Sequence, residues 1–217
     1  MASRLVMDSL AELAPTLGGI ASAPDLHEEE RATDRLTTMA EQAHASILTH
    51  AAQHPSLYGM GTTLVMAHLL PLPKPRLLVL NVGDSRAYLV RAGTLTQLTR
   101  DHTLIEEYVR DGRLTPTQAA CHPNRHVLTR AMGLAPHLES DLFFFDLLAG
   151  DLLLLCSDGL TKMLTDERIL QTVRPHRHIP SLATQALIHT ALDAGGIDNV
   201  TVVACTITEI PDQANIH

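Results

Sequence analysis

Tryptophan is missing from this chain, and Phe and Tyr bring its aromatic share to only 3%. Base-stacking platforms for single-stranded nucleic acid are built from such rings, so that function has little to stand on. Positive charge is thin as well: 16 Lys and Arg against 24 Asp and Glu leave a formal charge of −8, and no dense basic run occurs. This balance argues against a nucleic-acid groove and against binding to an anionic membrane surface. The three cysteines, Cys121, Cys156 and Cys205, show no C-x-x-C spacing. Two of them lie inside apolar runs, where free buried thiols are common, which fits a reducing compartment. No apolar stretch approaches the roughly 18 residues that span a bilayer, and no charged segment followed by an apolar one opens the chain. The expectation is a soluble cytoplasmic monomer with no membrane or nucleic-acid partner.

What is present is organised around Gly150-Asp151-Leu152-Leu153-Leu154-Leu155-Cys156-Ser157-Asp158-Gly159-Leu160. Four leucines and a cysteine between turn signals predict a fully buried strand, with Asp158 held at its end and Gly159 turning the backbone just beyond. A carboxylate beside a core needs a partner, and a cation is the natural one. The other reading of Asp158 is an N-cap for a following helix. A second stretch, Gly195-Gly196-Ile197-Asp198-Asn199-Val200-Thr201-Val202-Val203, repeats the design in reverse: glycines, a carboxylate, then an apolar β-branched run. Two aspartates at the ends of two buried strands can meet at one sheet edge and offer an oxygen-only site, which suits Mg²⁺ or Mn²⁺ better than zinc.

In chain order, the spacing predicts a helix over residues 4–13 with Leu5, Val6, Ser9, Leu10 and Leu13 on one face, and a Pro/Gly/Ala linker over roughly 14–27. A long helix over 28–53 follows, with Leu36, Met39, Ala40, Ala43, Ile47 and Leu48 as its stripe. Short apolar runs then predict antiparallel strands over 62–70, 76–82, 87–91 and 94–97, the last pair joined by a tight Ala92-Gly93 turn. A polar insert over 101–133 has Pro116 and Pro123 as helix starters and Gly112 as a helix stop. It is too long for a plain connection, so a functional role is expected. Strands resume at 141–146 and 151–156, helices at 166–173 and 181–193, and a final strand at 200–207. At 217 residues this is one domain, 1–209, with a frayed tail over 210–217.

Gly59-Met60-Gly61-Thr62-Thr63, Asn81-Val82-Gly83-Asp84-Ser85-Arg86-Ala87-Tyr88, Leu98-Thr99-Arg100-Asp101-His102, Ser157-Asp158-Gly159-Leu160 and Asp198-Asn199-Val200-Thr201 stand in a fixed order along the chain. In that order they resemble the bacterial metal-dependent protein phosphatases of type 2C. The insert, with Asp111-Gly112-Arg113-Leu114-Thr115-Pro116 and His122-Pro123-Asn124-Arg125, looks like that family's flap. The resemblance implies an α+β fold, a four-layer α-β-β-α sandwich of two antiparallel sheets flanked by helices. It further implies a binuclear Mg²⁺/Mn²⁺ site and direct attack of a metal-held water on phosphoserine or phosphothreonine in a protein substrate. By motif match Asp158 and Asp198 become metal ligands, and Asp101 with Asp158 holds a weaker third ion. The substrate would be a phosphoprotein of a bacterial Ser/Thr kinase.

The family's opening acidic motifs have no counterpart here, so the bridging aspartate and the phosphate-gripping arginine have no matching residue and no catalytic residue can be named. One ion thus loses its protein carboxylate and the other keeps two ligands. Three expectations follow. The chain begins some 40 to 50 residues short of the family's usual start, an estimate from opening strands of about five to six residues each. Its first helix needs a sheet to cover its apolar face. Residues 1–217 alone bind Mn²⁺ weakly and hydrolyse a phosphopeptide poorly or not at all. The competing class is a non-catalytic relative that holds a phosphoprotein or partner without hydrolysing it. Two further groups have ordinary readings beside functional ones. His122 and His126 are four apart as helical zinc ligands often are, but a helix begun by Pro123 turns them off a common face. Arg125 and Arg130 suit a phosphate or plain solvent.

Overall fold

The computed structural model describes residues 1–13, 27–70 and 75–208. Residues 14–26 of the expected linker and the expected tail over 210–217 lie outside the described residues. The chain gathers into two compact units. The first comprises Met1–Met66, Leu80–Asp84 and Arg100–Leu142; the second comprises Ala67–Val79, Ser85–Thr99 and the chain from Phe143.

The first unit opens with α1 (Ala2–Leu13) and α2 (Glu28–Gln53). Three glutamates in the first turn of α2 favour its positive end. The predicted stripe is buried except at Leu48, which is half-buried, and it is joined by Ala32 and His44, which periodicity did not single out. Helix α1 packs against α2, with Ser9 Oγ donating to Ser46 Oγ at 3.2 Å. Against α2 this helix buries Ala2 and Val6, while Leu5, Leu10 and Leu13 of its expected face stay half-buried. His44 is buried, accepts the Gly133 N–H through Nδ1 and donates through Nε2 to the Ala135 carbonyl, both at 3.0 Å.

The 101–133 insert carries α3 (Leu104–Arg110) and α4 (Pro116–Ala120). Thr103 caps α3, and Gly112, at φ +70°, ends it. The Arg113 N–H then reaches the Tyr108 carbonyl and the Gly112 N–H that of Val109, the paired bonds of a Schellman stop. Thr115 and Gln118 form a reciprocal capping box on α4, with Pro116 at its start. Pro123 starts no helix. His122 Nδ1 instead accepts the Asn124 N–H at 3.1 Å, and local turn bonds at Arg125 and Val127 use the groups a helix would need.

Strands β1 (Leu64–Leu70), β2 (Arg76–Val82) and β5 (Asp141–Asp146) make a three-stranded sheet in the order β1-β2-β5. Within the second unit, β3 (Arg86–Arg91), β4 (Thr94–Gln97), β6 (Leu152–Cys156) and β7 (Val202–Thr206) form a four-stranded sheet in the order β4-β3-β6-β7. Its pairings are antiparallel, with Leu154 opposite both Tyr88 and Ala204. The fold class is therefore α+β, two antiparallel sheets with helices, as the resemblance implied. Helices α6 (Asp166–Val173) and α7 (Pro180–Asp193) belong to the same unit. Period-two alternation sends Tyr88, Val90, Leu152, Leu154 and Cys156 into one cluster with Ile169, Val173, Ala183, Leu187 and Ala191 from these helices. Each of the larger side chains contributes about 1.5–3 kcal/mol by leaving water. Among the described residues, no helix is long and apolar enough to cross a membrane.

Candidate metal centre

β6 is the central rail of the site. Paired on both edges and covered by the α6/α7 cluster, it delivers the chain to Ser157 in a fixed direction. Ser157 then ties the segment after β6 to the segment before β7. Its N–H donates to the Thr201 carbonyl at 3.1 Å, its Oγ accepts the Thr201 N–H at 3.0 Å, and the same hydroxyl donates to the Asn199 carbonyl at 3.3 Å. Gly159 lets these segments touch, because a Cβ there would lie 2.2 Å from the Asn199 oxygen. No other residue fits without moving backbone.

Asp158 lies just past the strand end that the apolar run predicted, one residue beyond the N-cap place of its other reading. β6 ends at Cys156, and Asp158 opens a short helix, α5 (Asp158–Thr161), with Ser157 in the cap position. Asp198 likewise precedes its strand by several residues, since Thr201 stays outside β7 and pairs with Ser157. The later start of β7 comes from the Ser157 staple, which satisfies backbone groups that strand pairing would otherwise use.

Lys162, one turn along from Asp158, brings the two carboxylates together. Its Nζ lies 2.5 Å from Asp158 Oδ2 and 2.9 Å from Asp198 Oδ2. Asp198 Oδ1 accepts the Asn199 N–H at 2.8 Å, which leaves Oδ2 aimed at the shared point. The side chains of Lys162, Asp158 and Asp198 are 22%, 32% and 43% exposed, so the cluster is open to solvent. Burial of the ammonium works against its charge, but hydrogen bonds and attraction from both carboxylates prevail and raise the Lys162 pKa. The hydrogen bond from Lys162, then that from the Asn199 N–H, hold Asp198 below the usual carboxylate range.

The donors suit a hard divalent cation: two carboxylate oxygens already converge on one positive centre, with no soft ligand beside them. Among the described residues no group of three or more His, Cys, Asp and Glu side chains is placed to hold a metal ion, so the pair is the whole carboxylate contribution at this point. Asp101 lies in the first unit, half-buried in the coil before α3. Arg130 is engaged by Asp141 at 2.8 Å and by Glu139 at 3.5 Å, while Arg125 is exposed. Sequence reasoning missed Lys162 and Ser157; the spacing of four from Asp158 to Lys162 was the available signal for the lysine.

Beside Asp101, His102 is buried and accepts the Gly83 N–H through Nδ1 at 3.1 Å, so its proton sits on Nε2. Nε2 faces Asp141 Oδ2 at 3.2 Å, an ion-pair contact without good hydrogen-bond alignment. Burial lowers the His102 pKa despite the nearby carboxylate. Burial would raise Asp141, but His102 and Arg130 outweigh it and lower its pKa.

The profile described as Protein phosphatase 2C matches residues 14–110. The chain is 40% identical over 195 residues to the serine/threonine protein phosphatase PstP of Mycobacterium tuberculosis, covering 88% of this chain and 36% of that one. It thus spans about a third of the length of this relative. The serine/threonine phosphatase stp of Listeria monocytogenes is 34% identical over 203 residues, 94% of this chain and 75% of that relative. Among solved structures, the catalytic domain of PstP in complex with two manganese ions superposes with a TM-score of 0.76 at 36% identity, covering 96% of this chain and 81% of that one. Shared motifs, fold and similarity across nearly the whole chain agree: it belongs to the protein phosphatase 2C family of bacterial serine/threonine phosphatases.

Proposed function

We propose that the chain serves metal-dependent hydrolysis of phosphoserine and phosphothreonine in proteins, on substrates of a bacterial Ser/Thr kinase. In this reading it acts as a cytoplasmic monomer, with residues 1–209 as one catalytic domain and 101–133 as its flap. The observation that carries the reading is the convergence of Asp158 and Asp198, forty residues apart, on a single cationic point. Asp158 and Asp198 hold Mg²⁺ or Mn²⁺, and Asp101 serves a weaker ion. When bound, such an ion lowers the pKa of a coordinated water and offsets charge on the phosphoryl oxygens. The chain's own contribution is orientation. Ser157 and Gly159 fix the separation of the two carboxylates, and the Asn199 N–H selects which Asp198 oxygen faces inward. Relatives named as phosphatases support hydrolysis, and no observation favours the binding-module reading.

The test is release of phosphate from a phosphothreonine peptide by the purified chain with Mn²⁺. Two carboxylates make a sparse ligand set, so the expected rate is slow, stimulated by Mn²⁺, and lost on chelation and in Asp158→Asn and Asp198→Asn. A rate indifferent to chelation and to both substitutions would overturn the reading.

A further inference from the structure

We propose that Lys162 is a tethered competitor for the divalent ion, an internal cation that sets the metal concentration at which Asp158 and Asp198 are loaded. The inference rests on the assignment of those two aspartates as ion ligands. Its basis is position: Nζ contacts one oxygen of each carboxylate, at 2.5 and 2.9 Å, and so sits where a shared ion would have to bind. An ammonium and a divalent cation cannot both occupy that point, since they exclude each other sterically and repel at a few ångströms. Metal entry therefore requires Lys162 to leave both carboxylates.

The tether makes this competition effective. Lys162 follows Asp158 by one helical turn, so its ammonium is presented to the pair at a local concentration that free monovalent cations do not match. The exchange is nevertheless reachable. The four-carbon stem is flexible, the ammonium regains strong hydration on release, and all three side chains are partly open to solvent. Lys162 thus raises the threshold for loading without blocking it. It also keeps the two carboxylates at one point before an ion arrives.

Isothermal titration with Mn²⁺ on the full 217-residue chain tests this, with Lys162→Met, Lys162→Arg, Asp158→Asn and Asp198→Asn. Removing the competitor should tighten Mn²⁺ binding about tenfold in Lys162→Met, equivalent to about 1.4 kcal/mol. Lys162→Arg, which keeps the charge, should stay close to wild type, and both Asp→Asn variants should bind more weakly. If Lys162→Met binds no tighter while the Asp→Asn variants bind more weakly, the competition is wrong and the ligand assignment stands. If the Asp→Asn variants bind Mn²⁺ as wild type does, the assignment fails and the inference falls with it. A measurement that needs no variant is the Lys162 side-chain NMR signal of the wild-type chain during Mg²⁺ addition. It should shift and sharpen as the ammonium is released, and a signal unmoved at saturating Mg²⁺ overturns the proposal.

Discussion

Two carboxylate–cation groups flank β6, and they differ in what is left over on the oxygens. Before the strand, Asp151 is 1% exposed and receives Arg91 through both oxygens, from Nε at 2.8 Å and Nη2 at 2.6 Å. The Leu148 N–H adds a third bond at 2.8 Å, and Arg91 Nη2 also donates to the Asp146 carbonyl. After the strand, Asp158 and Asp198 share one ammonium and stay partly open to solvent. The chemistry of the two groups is nearly the same. Satisfaction by fixed, bidentate donors makes the first a structural pin. One flexible ammonium shared between two acids, each with solvent at hand, makes the second exchangeable.

The largest effect should come from breaking the pin. Asp151→Ala leaves a guanidinium without its buried partner and should lower the unfolding free energy by about 3 kcal/mol in urea titrations. A loss under about 1 kcal/mol would place Asp151 with the surface pairs. Next comes Gly159→Ala, whose methyl must push the Asn199 carbonyl away. A stability loss of about 2 kcal/mol is expected. It should be accompanied by loss of Mn²⁺ stimulation, because Asp198 moves with Asn199.

Asp198→Asn sharpens the contrast from the other side. The group is open and screened, so stability should change by less than about 1 kcal/mol while Mn²⁺-dependent hydrolysis disappears. A large stability loss here would mean that both clusters are structural.

The smallest effect is a pH dependence in the first unit. Burial lowers the His102 pKa, so the unfolded chain takes up a proton near 6.5 that the folded protein resists. This contribution to stability is complete above that pH and declines as pH falls through it. The Asp141 shift acts lower, below the ordinary carboxylate value of 3.8. Melting temperatures should therefore drop between pH 7.5 and 5.5, and drop less in His102→Asn, whose side-chain oxygen still accepts the Gly83 N–H. Equal drops in both proteins would assign the effect elsewhere.

Most of the frame was legible because burial writes itself into period. The bounds of β2, β4 and β5 and of α2 and α6 coincide with the apolar patterns that announced them. Asp158 and Asp198 were legible for the same reason, as charges terminating or preceding apolar runs. The start of β7 was less legible, because Ser157 holds Thr201 outside the strand through bonds across more than forty residues. Pro123 misled because His122 and Asn124 offer the backbone a local alternative to a helix. Lys162 was passed over although its spacing of four from Asp158 was readable, because α5 is a four-residue helix with no period to draw attention to it.

The most direct test is the anomalous difference map of a crystal soaked in Mn²⁺. The account predicts a peak coordinated by Asp158 Oδ2 and Asp198 Oδ2 at roughly 2 to 2.5 Å, with the Lys162 ammonium turned away from both. A peak elsewhere with Lys162 still bridging the two carboxylates, or no peak at saturating Mn²⁺, would contradict it.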